Sequence, residues 1–119
     1  MLGRTPSVQV WSRAQPTDLR LGFQGLAGLV AREFHRQVHC GDLFLFVNRR
    51  RTSAKILHWD GSGMCIYAKK LAPRQGRFAR LWNTPPSGAP LRLTTAELNL
   101  FLERPVASKG RNRGPKKLR

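Results

Sequence analysis

Carboxylates are scarce in this sequence. Only six of its 119 residues are aspartate or glutamate, whereas 22 are lysine or arginine. Enzymes that cut or join nucleic acids usually gather several carboxylates around metal ions. The pattern assigns Asp18 to a helix cap, Asp60 to a turn and Glu97 to the first turn of a helix, which leaves too few for such a site. The sequence also lacks a Gly-x-Ser-x-Gly elbow and a Walker phosphate loop. We therefore predict that the protein has no catalytic residues and is not an enzyme.

Cysteine is also sparse, with two residues, too few for a disulfide framework. Cys65 lies in an apolar run and is predicted to pack in the core. Cys40 follows His35 and His39, but no fourth ligand stands at a suitable spacing, so we predict no metal site and no cofactor. His58 has no partner nucleophile nearby in the sequence. A hydrogen-bonded histidine at a sheet edge is therefore favoured over a general base.

Long hydrophobic runs are absent. No apolar stretch reaches the ~18–20 residues that a membrane-spanning helix needs, and residues 1–6 lack the apolar segment of a signal peptide. Hydrophobic residues nevertheless make up 40% of the chain, enough for one small core without disulfides or metal. We expect a soluble, cytoplasmic protein that does not contact membranes.

Positive charge is what the sequence has in excess. The net charge is +16 and the isoelectric point is about 11.8. The last fifteen residues carry six of the cations and no acid, so residues 1–104 keep a net charge of +10. We predict a single globular domain over 1–104 and a basic, disordered tail over 105–119. Such a charge attracts phosphate polymers or acidic protein surfaces.

Helical and strand patterns alternate along the chain. A helix is predicted over about 18–37, with an apolar face of Leu19, Phe23, Leu26, Ala27, Val30 and Phe34. A second, short helix follows a cap at Thr94 or Thr95 and ends at Pro105. Strands are predicted at 7–11, 43–47, 56–59, 64–70 and 76–82, with turns at 49–53 and 60–63. The fold class is therefore α+β: a small antiparallel β-meander of three to five strands, a packed N-terminal helix and a short C-terminal helix.

Basic residues concentrate around the meander. Three arginines form the first turn, and further cations follow in the next strands and the segment after them: Arg49, Arg50, Arg51, Lys55, Lys69, Lys70, Arg74, Arg77 and Arg80. Guanidinium groups grip phosphate through paired hydrogen bonds. We predict that these nine residues contact the phosphate backbone of DNA. No helix-turn-helix, zinc-finger or RNA-recognition pattern supports base-specific readout.

Four aromatic residues lie among these cations: Trp59, Tyr67, Phe78 and Trp82. Aromatic rings beside positive charges can stack on unpaired bases. Burial in the core is the favoured alternative for Trp59 and Phe78.

One resemblance covers residues 8–102. The chain resembles the TnpB-type accessory protein of the insertion-sequence-66 family of bacterial transposable elements. The matching residues are Asp18-Leu19-Arg20, Phe23, Gly25-Leu26-Ala27, Leu43-Phe44, Phe46, Asn48-Arg49-Arg50-Arg51, Lys55-Ile56-Leu57, Trp59-Asp60-Gly61, Gly63, Tyr67-Ala68-Lys69-Lys70-Leu71, Gly76-Arg77-Phe78, Leu93-Thr94, Leu98 and Leu102. The resemblance implies a small protein encoded beside a transposase and needed for movement of the element, with no catalytic residues of its own.

Two functional hypotheses follow. The first is a DNA-binding accessory factor in transposition, supported by the charge and the triple arginine. The second is an adaptor that docks an acidic region of the transposase without touching DNA, through a sheet edge or an apolar patch near Trp82.

Overall fold

Five strands and two α-helices make up the described part of this protein. The computed structural model describes residues 8–82 and 88–107. Its elements in chain order are β1 (Val10–Ser12), α1 (Phe23–Leu29), a π-helical turn (Val30–Phe34), a 3-10 turn (Val38–Cys40), β2 (Leu43–Val47), β3 (Ser53–Trp59), β4 (Met64–Lys70), β5 (Leu91–Leu93) and α2 (Thr95–Glu103). The predicted α+β class, with one N-terminal and one short C-terminal helix, is confirmed.

The strands form one mixed sheet in the order β4-β3-β2-β1-β5. Strands β2, β3 and β4 are the predicted antiparallel meander, in which Ile56 pairs with Leu45 on one side and with Tyr67 on the other. β1 departs from the prediction because it runs parallel to β2. A parallel neighbour requires a long crossover, and the segment that contains α1 supplies it. β5 closes the other edge, antiparallel to β1.

The segment 76–82 does not form the predicted fourth strand. Only Arg77 pairs there, in an isolated antiparallel bridge with Val106. Its alternation of polar and apolar residues resembles a strand, but the neighbouring β4 ends at Lys70 and turns away. The strand that completes the sheet is Leu91–Leu93, which the sequence does not single out because it is only three residues long.

One helix covers each face of the sheet. Phe44, Phe46 and Leu57 pack with α1 and its π-helical turn, whereas Leu45 and Ile56 pack with α2 and Phe78 on the opposite face. β2 is buried on both faces, as its continuous apolar run predicts.

The first helix is shorter than predicted. It begins at Phe23 with Gly22 as its cap, so Asp18 is not a helix cap. Instead, the Asp18 carboxylate accepts hydrogen bonds from the backbone and the guanidinium of Arg20 in the preceding loop. The π-helical turn inserts one extra residue per turn and shifts the buried face. Phe23, predicted to be in the core, is the first residue of α1 and is 46% exposed, whereas Leu29 is buried.

The second helix starts as predicted. The Thr94 hydroxyl accepts a hydrogen bond from the Glu97 N–H, and the Glu97 carboxylate accepts one from the Thr94 N–H. This capping box satisfies two backbone donors at the start of α2. The nine residues of α2 do not extend over the edge strand β4, so Cys65 is exposed and its predicted core position is wrong.

The tail predicted to be disordered lies mostly outside the described residues, from position 108 onward. Within the described part of the chain, no helix combines the length and the apolar character needed to cross a membrane.

Candidate nucleic-acid interface

Three chain segments bring cations to the same end of the sheet. β2 ends and β3 begins at the arginine turn, and β4 ends beside them because Ser53 pairs with Lys70. The chain then makes a short turn and returns, so that the Phe78 N–H donates to the Arg51 carbonyl at 2.7 Å. We call this end of the sheet the basic end. Its predicted cations are Arg49, Arg50, Arg51, Lys55, Lys69, Lys70, Arg74, Arg77 and Arg80.

Asn48 builds the arginine turn. Its side-chain oxygen accepts hydrogen bonds from the N–H groups of Thr52 at 2.9 Å and Ser53 at 3.0 Å. Its backbone oxygen accepts one from the Arg51 N–H at 3.0 Å. An asparagine that satisfies backbone donors in this way is a common turn former. The turn therefore has a defined shape, from which Arg49 and Arg50 project as exposed side chains.

Arg51 connects the turn to the segment after β4. It adopts a left-handed backbone conformation with φ of 61°, which is uncommon for a residue with a β-carbon. Its guanidinium donates to the Phe78 carbonyl at 3.2 Å. Partial burial and the nearby charges of Arg80 and Arg77 lower the pKa of Arg51 from its ordinary value. Three arginines thus stand close enough to repel one another, an arrangement that an anion would relieve.

Two of the predicted lysines are engaged inside the protein. Lys55 donates to the carbonyls of Leu19 at 2.7 Å and Leu21 at 3.2 Å, and so holds the loop before α1. Lys69 donates to the Leu102 carbonyl at 2.7 Å in the last turn of α2. The helix dipole also stabilises a positive charge at this end of a helix. Both are half-buried. Their charges add to the local field, but their ammonium groups are occupied.

The other six predicted residues are exposed: Arg49, Arg50, Lys70, Arg74, Arg77 and Arg80. Among residues 8–82 and 88–107, the salt bridges join Glu33 to Arg13, Asp18 to Arg20 and Asp42 to Arg36. None of these pairs includes a predicted site residue. The basic end therefore carries positive charge that the described carboxylates do not pair.

A groove of about 730 Å³ lies beside the arginine turn. Arg49 and Arg50 line it together with the loop 16–20. A hydrogen bond from the Thr17 N–H to the Val47 carbonyl holds this loop against the end of β2. Arg20, which falls within the helix predicted over about 18–37, also lines the groove. Its hydrogen bonds lower the pKa of Asp18 to about 2, so the carboxylate in this groove is neutralised by its neighbour.

The aromatic residues divide between core and surface. Phe78 is fully buried and stacks on Phe101 with ring centroids 4.9 Å apart, as the core alternative predicts. Trp59 is half-buried and lies against His39. Trp82 is half-buried, with the Arg80 guanidinium 5.9 Å from its ring centroid. Tyr67 is 53% exposed on the edge strand β4 and offers an open ring.

No metal site is formed by the described residues: no three side chains of His, Cys, Asp or Glu come together there. His58 is not at a sheet edge, because β3 lies between β2 and β4. Its Nδ1 atom is buried and has no hydrogen-bond partner.

Comparison with known proteins identifies the family. The model of the IS66 Orf2-like proteins matches residues 8–109. The chain belongs to this family. It is similar to the uncharacterized protein y4jC of Sinorhizobium fredii (strain NBRC 101917 / NGR234), with 35% identity over 66% of this chain and 65% of that one. The match thus spans slightly less than two thirds of that relative's length.

The chain is also similar to the uncharacterized protein y4hO of the same strain, with 33% identity over 86% of this chain and 84% of that one. No solved structure matches the chain. Membership in the IS66 Orf2-like family supports an accessory role associated with transposition of an insertion sequence.

Proposed function

We propose that this IS66 Orf2-like protein is a non-catalytic accessory factor that binds DNA through the phosphate backbone at its basic end. The observation that carries the proposal is the group of six exposed cations that three chain segments bring together without a carboxylate partner among the described residues. Uncompensated charge on a rigid scaffold favours a polyanion over a small neutral ligand.

The geometry favours phosphates over base edges. Readout in the major groove normally requires a helix or a two-stranded ribbon that enters it. The basic end instead offers a short turn, the end of a strand and a returning loop. Arginine predominates there, and its planar fork matches the oxygens of a phosphate. We therefore expect binding that depends little on the DNA sequence.

The test is a salt titration of binding to a duplex of mixed sequence. If each of the six exposed cations and the half-buried Arg51 neutralises one phosphate, the logarithm of the binding constant falls with the logarithm of salt concentration with a slope of about −6. The double substitution Arg49→Gln and Arg50→Gln should reduce that slope by about 2 units, equally for unrelated sequences.

A charge-matched control substitutes two exposed arginines outside the basic end, Arg32→Gln on the π-helical turn and Arg92→Gln on β5. This variant should keep nearly the full slope. The proposal is overturned if micromolar protein leaves DNA unbound at low salt, or if the control reduces the slope as much as the substitutions in the arginine turn.

A second candidate is the adaptor that docks the transposase. An apolar groove of about 420 Å³ lies between α2, β5 and residues 79–81, and Leu100 beside it is 55% exposed. An exposed apolar groove of this kind suits a protein segment. A Leu100→Glu variant should then lose the transposase in a pull-down from nuclease-treated extract, and the wild type should retain it. Loss of the wild-type complex after nuclease treatment would instead indicate that DNA bridges the two proteins.

A further inference from the structure

A third cleft, of about 630 Å³, opens between the edge of the sheet and α2. It exists because α2 crosses the sheet without covering β4. Leu43, Ile56 and Leu102 supply apolar surface, and Tyr67 stands exposed on β4. The volume lies within the range of pockets that accept small organic groups.

The polar groups of the cleft are few and differ in kind. His58 lines it and has a buried Nδ1 atom without a hydrogen-bond partner. Asn99 and Glu103 line the α2 side. The Asn99 amide offers both a donor and an acceptor to a ligand with polar atoms at its edge. Glu103 disfavours a phosphate inside the cleft and suits an amino group as donor.

The cleft and the basic end share one residue, Lys69. Lys69 lies two residues after Tyr67 on the same face of β4, roughly 7 Å further along the strand, and its ammonium group spans to the Leu102 carbonyl of α2. Beyond Lys69 the strand ends beside the arginine turn, since its partner Ala54 follows Ser53 at the start of β3. A chain that carries both flat rings and phosphates could therefore occupy the cleft and the basic end together.

We propose that the cleft receives an unpaired base of single-stranded DNA, stacked on Tyr67, while the flanking phosphates contact the basic end. The inference rests on the proposed DNA binding and adds a strand preference to it. A nucleobase has apolar faces for the tyrosine ring and a polar edge for Asn99 and Glu103. Bases stacked and paired within a duplex do not present their faces in this way.

The experiment compares oligonucleotides of matched length by fluorescence anisotropy: a duplex, one of its strands, and an abasic strand with the same phosphates. The variant Tyr67→Leu keeps apolar bulk without the aromatic ring, and Tyr67→Phe retains the ring as the matched control. Tyr67→Leu should bind the single strand about 5- to 150-fold more weakly, as expected for one lost base–aromatic stack. Tyr67→Phe should bind it like the wild type, and all three proteins should bind the duplex equally.

The abasic strand isolates the base contact. The wild type should bind it more weakly than the ordinary strand, whereas Tyr67→Leu should barely distinguish the two. If Tyr67→Leu binds the single strand as tightly as the wild type while the duplex is still bound, the cleft does not hold a base and only this inference is overturned. If no oligonucleotide binds, the proposed DNA binding fails as well.

The two cysteines provide an independent readout that uses the unmodified protein. Cys65 lines the cleft, whereas Cys40 is exposed elsewhere, next to the start of β2. Single-stranded DNA should slow the reaction of Cys65 with a maleimide and leave that of Cys40 unchanged. Equal protection of both thiols, or of neither, at saturating single strand contradicts occupation of the cleft.

Discussion

Substitutions at Arg51 can separate the effect of its charge on DNA binding from the effect of its backbone conformation on stability. Its φ of 61° costs a residue with a β-carbon about 1–2 kcal/mol, which glycine does not incur. Glycine in turn loses about 0.4–1 kcal/mol through the greater freedom of the unfolded chain. Any substitution also removes the guanidinium bond to the Phe78 carbonyl, worth about 0.5–1.5 kcal/mol.

Two variants of Arg51 should therefore differ in stability and agree in binding. Arg51→Ala keeps the strained backbone and should lower the free energy of unfolding by about 1 kcal/mol. Arg51→Gly relieves the strain and should remain within about 0.5 kcal/mol of the wild type. Each loses the same cation, so the salt slope of duplex binding should fall by about 0.9 in both.

Urea unfolding and anisotropy titrations on the same preparations measure the two quantities. Arg51→Lys is the control for charge and should keep the slope. The reasoning is refuted if Arg51→Gly is no more stable than Arg51→Ala, because the left-handed backbone would then be absent in solution. It is equally refuted if Arg51→Gly binds DNA like the wild type, because the charge at this position would then be irrelevant.

Three further predictions concern the framework of the basic end and the opposite turn. Asn48→Ala leaves two turn N–H groups without their acceptor and should cost about 1–3 kcal/mol in urea unfolding, with weaker duplex binding. Gly76→Ala should cost at least about 2 kcal/mol, because φ is 91° and the new methyl group would collide with the Val106 carbonyl; unchanged stability would contradict this packing. Hydrogen bonds from Ser62 and Gly63 lower the pKa of Asp60 from 3.8 to about 2, so its carboxylate stabilises the fold above pH 3.8 and loses that effect as the pH falls towards 2. Asp60→Asn should therefore flatten the decrease in the urea midpoint over this window, and an equally steep decrease would exclude the turn as its cause.

Features that depend on near neighbours could be predicted from the sequence. The capping box joins Thr94 to Glu97 within one helical turn, and Asp60 bonds to the residues of its own turn. The strand Leu43–Val47 is buried on both faces, and a continuous apolar run indicates such burial.

Other expectations failed because the deciding contact lies far away in the chain. The predicted strand at 76–82 had no neighbour to pair with, since the bridge partner of Arg77 is Val106. Cys65 is exposed because α2 does not cover its part of β4. The parallel position of β1 depends on a crossover that local alternation cannot reveal.

The candidate site also combines features that follow from the local sequence with features that depend on distant contacts. The identity of its cations and their concentration around one turn are properties of the sequence. Packing decided which cations can contact a ligand. Lys55 donates a hydrogen bond to the carbonyl of Leu19, 36 positions earlier in the sequence, and Lys69 donates one to the carbonyl of Leu102, 33 positions later. The cleft beside Tyr67 likewise lies between β4 and α2, two elements that are distant in sequence.

The sequence by itself determined the charge of this protein, the arginine turn and the two-helix, meander-based class, because each depends on composition or on residues a few positions apart. Tertiary structure decided which basic side chains donate hydrogen bonds to carbonyl groups inside the protein and which face solvent. Those outcomes depend on contacts between segments that are remote in sequence, and no local pattern records them.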